Sequence, residues 1–170
     1  MPSDVTITRE IARLPEFRED VHKGEVGRIA IIGGCCGEVM MAGAPALAAM
    51  SAFRSGAGLV QMFVPEAVKV PAAVLAPHAT LRTLPTELNP LFEAVQEFRA
   101  DAVALGPGLG HSVGASVVAG LLAAFEGPMV VDADALNLLA TVSQVDIPNP
   151  QRIIMTPHPG ELRRLLASRG

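Results

Sequence analysis

The sequence predicts an α/β fold, a three-layer α/β/α sandwich with a mostly parallel sheet, and two observations carry that prediction. Short, continuous apolar runs alternate with helix-like stretches along the chain, the pattern of strands buried on both faces and joined by crossover helices. Four of those runs end in residues that stop a strand: Gly33-Gly34, Gly106-Pro107-Gly108, Asp132-Ala133-Asp134 and Thr156-Pro157-His158-Pro159-Gly160. A parallel sheet places all four ends on one edge, where open α/β sheets bind ligands.

The elements follow in order. GRIAIIGG (27–34) reads as a buried strand closed by glycines, and residues 43–58 as a helix of small residues stopped by Gly-Ala-Gly. LVQMFVP (59–65) is the next strand, ended by Pro65. The Pro- and Ala-rich stretch 65–90 reads as a short helix plus connections, with a strand at ATLRTL (79–84). LFEAVQEFRA (91–100) has Leu91, Val95 and Phe98 near helical spacing. Residues 101–110 are a strand running into a glycine loop, and 111–127 a helix with Ser112 as its candidate N-cap. Residues 128–140 give strand, turn and helix, and 152–167 repeat that plan. Residues 1–20 read as an N-terminal extension or helix. With no repeat, low-complexity tract or linker, the 170 residues form a single domain, long enough to bury roughly two thirds of its unfolded surface.

Composition narrows the function. Half the residues are hydrophobic and 18% are charged, as in a core-rich globular protein. A net charge of −4 without a Lys/Arg block argues against nucleic acid or an anionic membrane as partner. Six Phe without Trp or Tyr make no base-stacking platform. The N-terminus lacks the apolar core of a signal peptide, and the longest apolar stretch, Val39 to Phe53, is broken by Gly43 and Pro45. Cys35 and Cys36 are adjacent, with no second pair and no CxxC pattern, so they read as free thiols in a reducing cytoplasm rather than metal ligands.

Each strand-end loop carries two readings. Gly106, Gly108 and Gly110 serve tight turns, or let a ligand approach backbone N–H groups at the following helix. The loop is neither GxxxxGK nor GxGxxG. Asp134 reads as an N-cap for DALNLLA. Asp132, at the end of an apolar strand, needs a partner: a backbone turn, a Mg²⁺ hydration shell or a ligand hydroxyl. His158 is stiffened by Pro157 and Pro159, either to meet a ligand or to cap the next helix. The loop GGCCGEVMMAG (33–43) is long for a strand–helix connection, as functional loops often are.

Taken together, HKGEVGRIAIIGG, MAGAPALAAMSAFRSGAGLV, GPGLG, VVDADALNLLA and TPHPGELRRLL stand in the order found in the ADP- or ATP-dependent NAD(P)H-hydrate dehydratases. The chain resembles that family, which is ribokinase-like and related to carbohydrate kinases, from about His22 to Leu166. The resemblance implies repair of hydrated NADH or NADPH: a nucleotide phosphorylates the added hydroxyl and phosphate leaves, regenerating the nicotinamide ring. It implies that Gly43, Ala44, Gly106, Gly108 and His158 contact the hydrated dinucleotide, with Asp132 as the strand-end acid acting through Mg²⁺. ADP or ATP and Mg²⁺ are the cofactors expected of the full-length family.

The chain departs from the family's pattern in containing no GTGD or other G-x-G-D segment, which in the family supplies the anion hole and the base. The expectation is therefore a ribokinase-like fold lacking its C-terminal part, with no catalytic residue assigned and no dehydratase activity from residues 1–170 alone. Such a chain is a fragment of a full enzyme, or a short homologue that binds a dinucleotide or partner without catalysis. A ribokinase-type kinase of sugar or vitamin hydroxyls is the alternative activity. An exposed sheet edge would favour a homo-oligomer.

Overall fold

The computed structural model describes residues 26–168; the extension expected over residues 1–20, together with His22 and Lys23, lies outside the described residues. Its elements are β1 (Arg28–Ile32), α1 (Gly43–Arg54), β2 (Leu59–Val64), α2 (Glu66–Leu75), β3 (Thr80–Thr83), α3 (Leu88–Phe98), β4 (Ala102–Leu105), α4 (Ala115–Ala124), β5 (Met129–Val131), α5 (Asp134–Leu139), β6 (Ile153–Met155) and α6 (Pro159–Ala167), with a 3₁₀ turn at Pro150–Arg152 before β6. The strands form one sheet in the order β3-β2-β1-β4-β5-β6, and every neighbouring pair is parallel.

The alternation along each strand sorts the core into two layers. Ile31, Val60, Met62 and Val64 face α1 and α2 and pack on Ala46, Ala49, Val68 and Ala72. Ile32, Phe63, Leu105 and Val131 face the other way, onto Leu91, Val95, Leu121 and Leu136 of α3, α4 and α5. Two-sided coverage explains why the strands are continuously apolar rather than alternating. Truncating a side chain such as Leu105, 1% exposed, to Ala would cost about 2–5 kcal/mol.

The strand expected at 79–84 is β3. α3 starts at Leu88, three residues earlier than the spacing suggested, because Pro90 falls in its first turn, where an N–H has no intrahelical partner to lose. The α4 expectation needs a larger correction. The helix begins at Ala115 with Gly114 as N-cap, and Ser112 does not cap it. The Ser112 hydroxyl donates instead to the Gly34 carbonyl at 3.0 Å, joining the loops after β4 and β1.

Among the described residues, cover on the α1/α2 face does not reach the whole sheet. Met62, Ile31, Ala104, Val130 and Ile154 are successive cross-strand neighbours. Exposure climbs along that row from 0% at Met62 to 39% at Val130 and 62% at Ile154. Among the described residues no helix is long and apolar enough to cross a membrane.

Candidate functional site

The strand-end edge is stitched together by main chain. The ladder continues past β1 and β4: Gly33 N donates to Phe63 O at 3.2 Å, Gly34 N to Pro107 O at 3.0 Å, and Gly106 N to Ile32 O at 2.9 Å. These loops leave the sheet at the point between β1 and β4 where strand order reverses, the usual crevice of an open α/β sheet. The approach is close enough to dictate glycine. A Cβ on Gly33 would stand 2.3 Å from the Pro107 carbonyl oxygen, and one on Gly106, whose φ is +118°, only 1.9 Å from the Asp132 oxygen.

The expected site residues are thus partly brought together. Gly106 lies against the Asp132 backbone, and Gly108, with φ +62°, against Ala44, 3.2 Å from where its own Cβ would be. Gly43 begins α1 with open space within 4 Å of a Cβ position. His158 reaches the same edge because Thr156 N donates to Val131 O at 3.2 Å and carries β6 alongside β5. Its side chain forms no bond to the other five among the described residues.

His158 caps α6, the second of its two readings. Its Nδ1 accepts from Gly160 N at 3.0 Å, while its own N–H donates to Glu161 Oε2 at 3.0 Å, completing a capping box. Nε2 lies 3.3 Å from Glu161 Oε1, and that carboxylate is 7% exposed against 62% for the imidazole. The ring is therefore held from behind and open in front.

The two aspartates take different parts from those expected. Asp134 does not cap its helix; Ala133, at φ +51°, is the N-cap and offers no side-chain bond. The Asp134 carboxylate instead accepts from Gly110 N at 2.8 Å, tying the β4 loop to α5. Asp132 is half-buried, and its carboxylate has no hydrogen-bond partner among the described residues. No group of three His, Cys, Asp or Glu side chains able to hold a metal ion occurs among them either. Mg²⁺ carried on nucleotide phosphates needs one or two protein carboxylates, and Asp132 is one without a hydrogen-bond partner among the described residues.

The 33–43 loop is closed on itself. Met41 N donates to Cys35 O at 3.0 Å in an isolated antiparallel bridge, which fixes a small loop carrying exposed Val39 and Met40. Cys35 and Cys36 are free thiols.

Three hollows adjoin along this edge. One of about 290 Å³ lies between Glu66, Thr83, Thr86 and Ser112. The next, about 300 Å³, shares Cys36 and Ser112 with it. The third, about 330 Å³, shares Gly110 and His111 with the second and runs to Asn137 and Arg164. A hollow of about 420 Å³ at residues 143–146 is formed by one loop beyond α5 and gathers no strand-end residue. The sequence alone gives no role to Glu66, His111, Asn137 or Arg164. The Arg164 Nη1 to Asn137 Oδ1 bond of 2.6 Å spans 27 residues, so only the packing of α5 on α6 reveals it.

At the end of β2, Glu66 accepts a short hydrogen bond from the Thr83 hydroxyl and lies 3.3 Å from Lys69 Nζ. The Thr83 bond first, and Lys69 second, hold the Glu66 carboxyl below its ordinary value.

Comparison with known proteins places these features in a family context. Residues 29–170 match the carbohydrate-kinase-like family described as NAD(P)H-hydrate dehydratase. The chain is 38% identical over 167 residues to the bifunctional NAD(P)H-hydrate repair enzyme Nnr of Moorella thermoacetica, covering 92% of this chain and 31% of that protein. The Escherichia coli enzyme of the same name is 38% identical over 152 residues, covering 88% and 27%. Among solved structures, the ADP/ATP-dependent NAD(P)H-hydrate dehydratase of Bacillus subtilis, co-crystallized with ATP/Mg²⁺, superposes with a TM-score of 0.66 at 30% identity, covering 91% of this chain and 51% of that one. A ribokinase-like superfamily protein of Enterococcus faecalis superposes with a TM-score of 0.73 at 23% identity, covering 88% and 51%, and speaks for the fold alone. The chain spans about 31% of the length of the first relative and 51% of the solved chains.

Proposed function

Since the chain belongs to the NAD(P)H-hydrate dehydratase family, we propose that its strand-end edge is the dinucleotide-binding side of a site for repairing hydrated NADH or NADPH. The observation that carries this reading is the packing of Gly108 against Ala44 beside open Gly43, a floor of glycine and alanine bordered by the Met41 side chain, next to the Asp132 carboxylate, which has no hydrogen-bond partner among the described residues.

In this reading the floor lets the ligand lie against the start of α1 and the β4 loop, where backbone N–H groups favour an anion. Asp132 accepts a hydrogen bond from a hydroxyl of the hydrated ring or holds the nucleotide's Mg²⁺. His158, fixed from behind by Gly160 and Glu161, offers the open face of a ring whose orientation is already set. Bound ADP or ATP with Mg²⁺ supplies the phosphoryl group that turns the hydroxyl into a leaving group. Positioning and electrostatics account for most of such a transfer. Free Cys35 and Cys36 fit a reducing, cytoplasmic compartment, and the open edge of β6 fits self-association.

Calorimetric titration of the 170-residue chain with hydrated NADH and hydrated NADPH tests the reading. Saturable binding of either, weakened at least about tenfold by Gly43→Ala with no loss of Tm, supports it. Binding of a simple sugar and of neither dinucleotide would overturn it in favour of a kinase site.

A further inference from the structure

We propose that the hollow between Glu66, Thr83 and Thr86 is a ribose subsite, in which Glu66 takes the hydroxyls of the adenosine ribose and disfavours a 2′-phosphate. The proposal rests on the dinucleotide reading above and names which form of the dinucleotide the edge prefers.

Position is the first argument. The sheet order β3-β2-β1-β4-β5-β6 places the crevice between β1 and β4, and Glu66 stands two residues beyond the end of β2. In the doubly wound dinucleotide-binding folds of this strand order, an acid following the glycine loop recognises the ribose 2′-hydroxyl, and Glu66 is an acid on that side of the crevice here, without their glycine fingerprint. A ligand lying across the β1 and β4 loops meets that side of the crevice next.

Space is the second. A single hollow of about 300 Å³ is at the small end for ligand sites and too small for a dinucleotide. Three hollows of about this size stand side by side, the first two sharing Cys36 and Ser112 and the last two Gly110 and His111, from Glu66 to Arg164. The Glu66 end is the one with hydroxyl side chains, Thr83 and Thr86, on its wall.

Chemistry is the third. An ionised carboxylate has about four acceptor positions. Thr83 takes one, and the contacts from Lys69 at 3.3 and 3.4 Å are long, so capacity remains for a diol. The lowered Glu66 pKa keeps it an acceptor at neutral pH. A 2′-phosphate would meet that negative charge directly, and Lys69, the cation paired with Glu66 among the described residues, is already engaged with it.

Kd values for hydrated NADH and hydrated NADPH, measured on the wild-type chain and on Glu66→Gln, test the assignment. Expected is a preference of at least about tenfold for hydrated NADH in the wild type. In Glu66→Gln that preference collapses or reverses, because the repulsion is gone and Lys69 is released toward the phosphate. A matching Tm for the two chains shows that folding is not the cause, since Glu66 is 72% exposed. Equal affinities unchanged by Glu66→Gln would overturn the ribose subsite and leave the dinucleotide reading intact. Failure of the wild type to bind either would overturn both.

Discussion

Asp134 holds Gly110 across 24 residues of sequence, its carboxylate accepting the glycine amide at 2.8 Å. That bond fixes the last turn of the β4 loop against α5, in the middle of the strand-end edge. Asp134→Ala leaves the part-buried N–H without its partner and should lower stability by about 1–3 kcal/mol. Asp134→Asn keeps an acceptor oxygen and should lose less. Urea midpoints for the two variants check this; equal losses would show that the bond is not what Asp134 contributes.

Gly106 and Gly43 are both glycines of the expected site, yet they should respond oppositely to alanine. At Gly106 the new Cβ would sit 1.9 Å from the Asp132 oxygen at a φ of +118°, so Gly106→Ala should cost at least about 3 kcal/mol. At Gly43 the Cβ meets open space, and alanine in the first turn of α1 should be neutral or stabilising by up to about 1 kcal/mol. Thermal unfolding separates the two, and only at Gly43 can a change in ligand affinity be read without a change in folding.

His158→Ala removes the α6 cap and should cost about 0.5–2 kcal/mol, visible as a lower Tm. His158→Asn restores a capping side chain but presents no imidazole. Recovery of Tm without recovery of dinucleotide affinity would assign the ring face to the ligand. Recovery of both would make capping its whole contribution.

Glu66 should leave a mark on the acid limb of stability. Its folded pKa lies below the ordinary value of 4.5, so its contribution is present above that value and fades as the pH falls through the lower, folded one. Tm measured between about pH 6 and 3 should fall more steeply in the wild type than in Glu66→Gln. Superimposable curves would show that the Thr83 and Lys69 contacts do not persist in solution.

Much of this was written in the chain. Continuous apolar runs such as IAII and MVV announced strands buried on both faces, and the Gly, Asp and Pro-His-Pro stops do fall at strand ends on one edge of the parallel sheet. What eluded the sequence was the use of side chains across long separations. Ser112 and Asp134 both have the chemistry of an N-cap, but tertiary partners at Gly34 and Gly110 claimed them. Glu66 drew no role from the sequence, because the hydroxyl that binds it, Thr83, comes from β3. Glycine at 106 was legible as a turn residue, while the reason for it, the Asp132 carbonyl, lies in another strand's loop.

The row from Met62 to Ile154 bears on how large the strand-end edge can become. Each strand of a parallel sheet delivers one loop to that edge, so its length is counted in strands rather than in residues. Among the described residues β6 has a neighbour on one side only, and Ile154 at its centre is 62% exposed. A further parallel strand there would bury Ile154 and, in the same step, set another loop beside Thr156-Pro157-His158. Apolar burial at one end of this sheet and the reach of its crevice are therefore a single quantity, and loss of solvent accessibility at Ile154 would report both.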